Sequence, residues 1–346
     1  MRSVPIASLM IATLATTAAT AVPSVTTVMS GLDNPRGLAF GPEGALYVAE
    51  TGRGGAGPCV TLRDLLSCYG PTGAVSRLWR GQQTRFATGL PSMINPIGEA
   101  SGPQDIAFLG RGNAFVTIGW AGADPILRAG FGPAGAQFGT LMRINAHGSW
   151  SIVADLAAYE SAFNPADGPL ESNPYGVLAE PAARIATDAA GNSLLRIKAN
   201  GEISTLATFP SRPARPTDAV PTSVVRGPDG AYYVSELSGV PFADGAARIY
   251  RVVPGNEPEV FLEGFKTVID MEFGKDGSLY VLQHATGPVF FAGPGQVIRV
   301  TPDGARSVVV GNLNRPTSVT LGPDSALYVT NQGVSVGTGE VLRVVP

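Results

Sequence analysis

The stretch Pro35-Arg36-Gly37-Leu38-Ala39-Phe40-Gly41-Pro42-Glu43-Gly44-Ala45-Leu46-Tyr47-Val48-Ala49-Glu50 reads as an apolar strand, a Gly-Pro turn, and a second strand ending in a carboxylate. Near the other end of the chain, Pro316-Thr317-Ser318-Val319-Thr320-Leu321-Gly322-Pro323-Asp324-Ser325-Ala326-Leu327-Tyr328-Val329-Thr330-Asn331 follows the same plan almost position by position. Further copies lie at 221–236 and 268–283, with more degenerate ones at 103–118 and 174–188. The equivalent positions Gly37, Asp105, Gly176, Ser223, Asp270 and Ser318 are 68, 71, 47, 47 and 48 residues apart. Short strands, Gly-rich turns and a period of that size predict a β-propeller, in which each four-stranded blade buries its faces only against its neighbours. Six copies predict an all-β, six-bladed propeller in a single domain spanning 22–346.

The last copy is followed by only one more strand, Val341-Leu342-Arg343-Val344-Val345, so the sixth blade lacks an outer strand. Residues 24–32 resemble the outer strands at 84–90 and 305–313 and are expected to complete it, removing two open sheet edges. Ahead of them, residues 1–21 read as a signal peptide. Met1-Arg2 precedes an Ala- and Thr-rich apolar run, and Ala19-Thr20-Ala21 is a small-x-small cleavage site. The run is too short for a spanning helix. The expectation is a soluble monomer, secreted or periplasmic, with no membrane span once the signal is removed. Cys59 and Cys68 are the chain's two cysteines and fall in one loop, which suits a local disulfide in an oxidising compartment.

With 24 Lys and Arg against 27 Asp and Glu, the chain lacks the basic footprint of a nucleic-acid binder. Topology says more about function. The first and third hairpin turns of each blade are tight, as in Gly227-Pro228-Asp229-Gly230 and Thr301-Pro302-Asp303-Gly304, and leave no room for a deep site on that face. Long insertions at 51–72, 91–101, 120–137, 157–172, 237–244 and 284–294 all fall on the opposite face, where loops on a rigid scaffold carry function. They bring aromatics with them. Trp120, Phe131, Tyr159, Tyr175, Phe242 and Phe290 are the candidate ligand-binding residues, joined by Phe163 and Phe291, for a small and flat aromatic ligand. Another exported protein is the alternative partner.

The second strands of the repeats end in Glu50, Ile118, Asp188, Glu236, Gln283 and Asn331, while Asp105 and Asp270 face each other across a six-blade ring. Glu50, Asp188, Glu236 and Asn331 form a candidate oxygen-ligand set for Ca²⁺ or Mg²⁺. The competing role for the same side chains is to satisfy backbone N–H groups of adjoining loops. A serine triad lacks its elbow motif. Of the two histidines, His147 falls in a solvated turn, and His284 at the channel mouth is the candidate catalytic base. The binding-module reading therefore has an enzymatic rival, a divalent-metal-dependent hydrolase or lyase acting on a lactone or ester. A quinone-dependent sugar dehydrogenase requires a base and a cofactor cradle that this pattern does not display.

Asn34-Pro35-Arg36-Gly37-Leu38, Gly57-Pro58-Cys59, Cys68-Tyr69-Gly70-Pro71-Thr72-Gly73-Ala74-Val75, Ser172-Asn173-Pro174-Tyr175-Gly176 and Asp188-Ala189-Ala190-Gly191-Asn192-Ser193-Leu194-Leu195-Arg196-Ile197 together resemble the ScyD/ScyE family. These are exported propellers akin to NHL-repeat and gluconolactonase-like propellers. The resemblance spans the mature chain and implies a propeller fold and export. It transfers no catalytic residue.

Overall fold

A computed structural model describes residues 23–110, 112–211, 217–288 and 290–346. The signal-peptide assignment at 1–21 lies outside the described residues. Six sheets form six blades of four antiparallel strands each, counted along the chain. Blade one adds to these an outer hairpin strand, Cys59–Leu62, and a short edge strand, Ala100–Ser101. The ring closes as expected: Ser24–Leu32 pairs antiparallel with Gly339–Val345 and becomes the outer strand of blade six.

Sequence position dictates burial in each blade. Second strands such as Leu46–Glu50 and Ala183–Asp188 are buried along their whole length, polar Glu50, Arg184, Thr187 and Asp188 included. Outer strands such as Ile203–Thr208 are mostly half-buried, with Ser204 exposed and Ala207 buried. The apolar side chains gather into six clusters, one at each contact between neighbouring blades. The cluster sealing blade six to blade one contains Met29 and Leu32 from the N-terminal strand with Leu38, Leu46 and Val48. No blade has a core of its own, so closure is a condition of stability.

The repeated turn explains its own residues. Gly41 N–H donates to Ala45 O, and Gly44 takes φ +83°, the left-handed position that a three-residue hairpin requires. In blade six Ser325 adopts that conformation at φ 63° without being glycine. The irregular hairpin of blade three is one residue shorter: Glu180 N–H donates to Ala183 O at 2.9 Å, leaving Pro181-Ala182 as a two-residue turn. The short-turn face is not featureless, since a hollow of about 300 Å³ lies there between blades one and two, beside Tyr47 and Phe86.

Candidate functional site

Hydroxyls bind the blades around the axis. Thr51 Oγ1 donates to Pro103 O at 2.8 Å, Thr117 Oγ1 to Tyr175 O, and Thr187 Oγ1 to Thr222 O at 2.6 Å. Thr222 Oγ1 then donates to Val268 O at 2.9 Å, and Thr317 Oγ1 to Pro35 O at 2.7 Å. Between blades five and six Asp270 takes over, accepting from Ser318 Oγ at 2.5 Å and Val319 N–H at 2.9 Å. Asp105 accepts likewise from Val177 N–H in blade three. Burial pushes both carboxyls up from the usual range, and the charge of Asp270 pushes Asp105 further. Only a cavity of about 10 Å³ remains between them, too small for an organic ligand.

The candidate metal ligands are held apart, each by its own blade. Glu50 accepts from Asp33 N–H at 2.7 Å and Ser76 Oγ at 2.5 Å, and Arg85 Nη2 lies 3.2 Å from it. Asp188 accepts from Ser172 Oγ and Asn173 N–H, both at 2.6 Å, and from Gly191 N–H at 2.9 Å. Glu236 is paired with Arg248 at 2.8 Å, and Asn331 Oδ1 accepts from Asn314 N–H at 2.7 Å. Among the described residues no three His, Cys, Asp or Glu side chains are grouped so as to hold a metal ion. The four-ligand centre is therefore not assembled, because the capping role has consumed its oxygens. His284 is buried, and its ring Nδ1 lies 2.9 Å from Pro316 O. A carbonyl only accepts, so Nδ1 carries the proton. Burial lowers the imidazole to about 4, which leaves a weak base.

The aromatic candidates divide. Trp120 and Phe131 are 0% and 1% exposed and interlock with Phe138 and Tyr69 beneath the loops, so they pack the face rather than line it. Tyr159 lies against Phe163 on a short helix, Leu156–Phe163, its hydroxyl 3.0 Å from Thr205 Oγ1. Tyr175 stands in the central channel. Phe242 and Phe290, with Phe291, line a pocket of about 1020 Å³ in the loop-rich face. Phe242 and Phe291 are stacked with ring centroids 4.3 Å apart, and Phe291 meets His284 edge-on at 5.1 Å. Phe242 and Phe290 have φ of 56° and 46°, a left-handed conformation that costs a bulky residue about 1 kcal/mol or more.

The opposite rim is set by the cysteines. Cys59 and Cys68 form a disulfide across a hairpin whose two-residue turn is Arg63-Asp64. This hairpin carries Arg63 to the pocket, where its Nη2 lies 3.3 Å from Glu171 Oε2. The disulfide fits an extracytoplasmic protein, and among the described residues no helix is long and apolar enough to cross a membrane.

No protein-family profile and no curated protein matches the chain. Solved structures do. A streptogramin B lyase is similar over 93% of this chain and 97% of its own, at 13% identity and a TM-score of 0.53. The apo-form soluble aldose sugar dehydrogenase of Escherichia coli covers 94% of this chain and 100% of its own, at 14% identity and TM-score 0.58. A protein assigned as a gluconolactonase covers 93% and 91%, at 13% identity and TM-score 0.53. The likeness is one of fold. At these identities the shared propeller transmits no chemistry to individual side chains.

Proposed function

We propose that this protein is an exported, monomeric binding propeller of the ScyD/ScyE type, secreted or periplasmic, that takes a small ligand with a flat aromatic part in the pocket of its loop-rich face. The observation that carries this reading is the roughly 1020 Å³ pocket walled by Phe242, Phe290 and Phe291. Its volume suits an organic ligand, and stacked rings beside a charged rim match the anatomy of such sites. Two strained aromatic positions on one wall support it further, since strain of that kind collects at sites where the fold must present a side chain.

The rival reading, a divalent-metal hydrolase or lyase, requires converging oxygens. Glu50, Asp188, Glu236 and Asn331 instead cap their own blades. The test is a fluorescence titration with the neutral aromatic probe N-phenyl-1-naphthylamine. Saturable one-site binding is expected, weakened about tenfold in Phe242→Ala, corresponding to ~1.4 kcal/mol. Absence of binding, or binding indifferent to Phe242→Ala and Phe291→Ala, overturns the assignment of the pocket.

A further inference from the structure

We propose that the mouth of the central channel beside Phe291 is an anion subsite, so that the pocket's ligand is a planar aromatic bearing a carboxylate- or sulfonate-type group received by Arg36 and Arg315. The proposal rests on the pocket reading above and adds the ligand's charge to it.

Arg36 is the second residue of the first strand of blade one and is 8% exposed. Its Nη1 donates to Gly333 O and reaches Pro35 O at 3.5 Å, both neutral carbonyls. A guanidinium carries five N–H donors, and those on Nε and Nη2 find no acceptor among the described residues. None of the described carboxylates lies within ion-pair distance of it, although buried charges are normally paired. The side chain facing the axis at the equivalent place in the other blades is Gln104, Tyr175, Thr222, Ile269 or Thr317. A cation here is therefore a feature of blade one and not a requirement of the fold.

Neighbouring groups extend the site. Gly333 N–H donates to Arg315 O at 3.0 Å, which brings the Arg315 backbone against the loop that holds Arg36. The Arg315 guanidinium reaches Gly293 O at 3.3 Å, in the same loop as Phe290 and Phe291, and it too lacks a carboxylate partner among the described residues. Glu340 of blade six accepts from Thr27, Asn331 and Gln332 and makes no ion pair with either arginine. The Tyr175 hydroxyl has no hydrogen-bond partner among the described residues and lies close enough for the charge of Arg36 to act on it. His284 contacts Phe291 and accounts for Pro316 O, and so links this cationic mouth to the aromatic wall. Asp105 and Asp270 accept from Val177 N–H, Ser318 Oγ and Val319 N–H and make no ion pair with Arg36. The charges of Arg315 and Arg36 both act on His284, which meets Phe291 edge-on, and neither arginine has a carboxylate partner among the described residues. Charge-assisted contacts from guanidinium to carboxylate or sulfonate are among the stronger hydrogen bonds available in such a place.

The test compares 1-anilinonaphthalene-8-sulfonate with the neutral N-phenyl-1-naphthylamine, two probes of nearly the same ring system. Wild-type protein is expected to bind the sulfonate at least tenfold more tightly, with the difference shrinking as potassium chloride is raised. Arg36→Gln and Arg315→Gln, checked for native thermal unfolding, are expected to weaken the sulfonate about tenfold and the neutral probe less than twofold. Equal affinities in the wild type, or a sulfonate affinity unmoved in both variants, overturn the anion subsite while leaving the aromatic pocket standing. In Phe242→Ala both probes are expected to weaken about tenfold with the sulfonate preference intact, and a preference lost with the ring would overturn the separate anion subsite. Competition by inorganic phosphate alone, without a ring requirement, would also overturn the proposal.

Discussion

Glu160 offers the sharpest test of the packing around the pocket. It sits on the helix Leu156–Phe163, is 2% exposed, and its Oε1 has no hydrogen-bond partner. Its other oxygen lies 2.7 Å from where a Gly191 Cβ would be, so the carboxyl is pressed against the turn that follows Asp188 and forms one pocket wall at Ala189 and Ala190. Burial, and secondarily the charge of Asp188, raise Glu160 to about 8. Burial raises Asp188 as well, but it accepts from Asn173 N–H, Gly191 N–H and Ser172 Oγ, bonds that favour its ionised form and that Glu160 lacks. Between the ordinary carboxyl range and pH 8 the folded protein keeps a proton that the unfolded chain has released. The stabilisation is therefore complete at acidic pH and is lost as pH climbs from 4.5 to about 8. At 1.36 kcal/mol per pH step the ceiling is ~5 kcal/mol, and relaxation with solvent screening reduces the expectation to ~2 kcal/mol. Glu160→Gln keeps the size of the neutral acid and removes its ionisation. The variant should unfold at the wild-type temperature at pH 4.5 and roughly 4 °C above it at pH 8.5, measured by circular dichroism. Glu272, raised to about 7 by burial and by Asp270, adds a parallel slope that cancels in the comparison of variant with wild type. An offset that is the same at both pH values, or a variant that is less stable at pH 8.5, would refute the argument.

Two further outcomes follow from charges elsewhere. The Lys266 side chain is 2% exposed and its Nζ has no hydrogen-bond partner, so Lys266→Met should raise stability by about 1–3 kcal/mol in denaturant unfolding; a loss of stability would reveal an unseen partner. Elemental analysis of the purified protein should find no stoichiometric calcium or magnesium, and the Glu50→Ala, Glu236→Ala double variant should lose about 1–3 kcal/mol per removed acid through unpaired Asp33 N–H, Ser76 Oγ and Arg248; metal lost with those acids would restore the enzymatic reading.

The ring was legible because a propeller repeats its own grammar: Gly41-Pro42-Glu43-Gly44 and its relatives mark hairpins, and Ser24–Leu32 matches the outer strands it joins. The site was legible only in part. A carboxylate at the end of a second strand is compatible both with a metal ligand and with a cap, and only the position of Asp33 N–H or Asn173 N–H decides between them. Aromatic residues in long loops are likewise ambiguous, since Trp120 and Phe131 turn inward to hold the loops together while Phe242 and Phe290 face the pocket. Arg36 was missed although the signal was present. Aligning the six copies puts it where its counterparts are uncharged, and a lone cation at an axial position has no structural task that glutamine or threonine does not perform.

This division follows from how the fold distributes its constraints. Residues that close the ring, such as Thr51, Thr187 and Thr317, bond to the next blade and must recur. Residues that serve a ligand need occur in one blade only, and a repeat exposes them by contrast. Arg36, Arg315 and the Phe242–Phe291 pair lack counterparts of the same chemistry in most other blades, yet they meet at one end of the channel. The departures that carry a cation or a pocket-facing ring pair gather there, whereas irregularities of packing, such as the shortened hairpin of blade three and the extra strands of blade one, lie elsewhere in the ring.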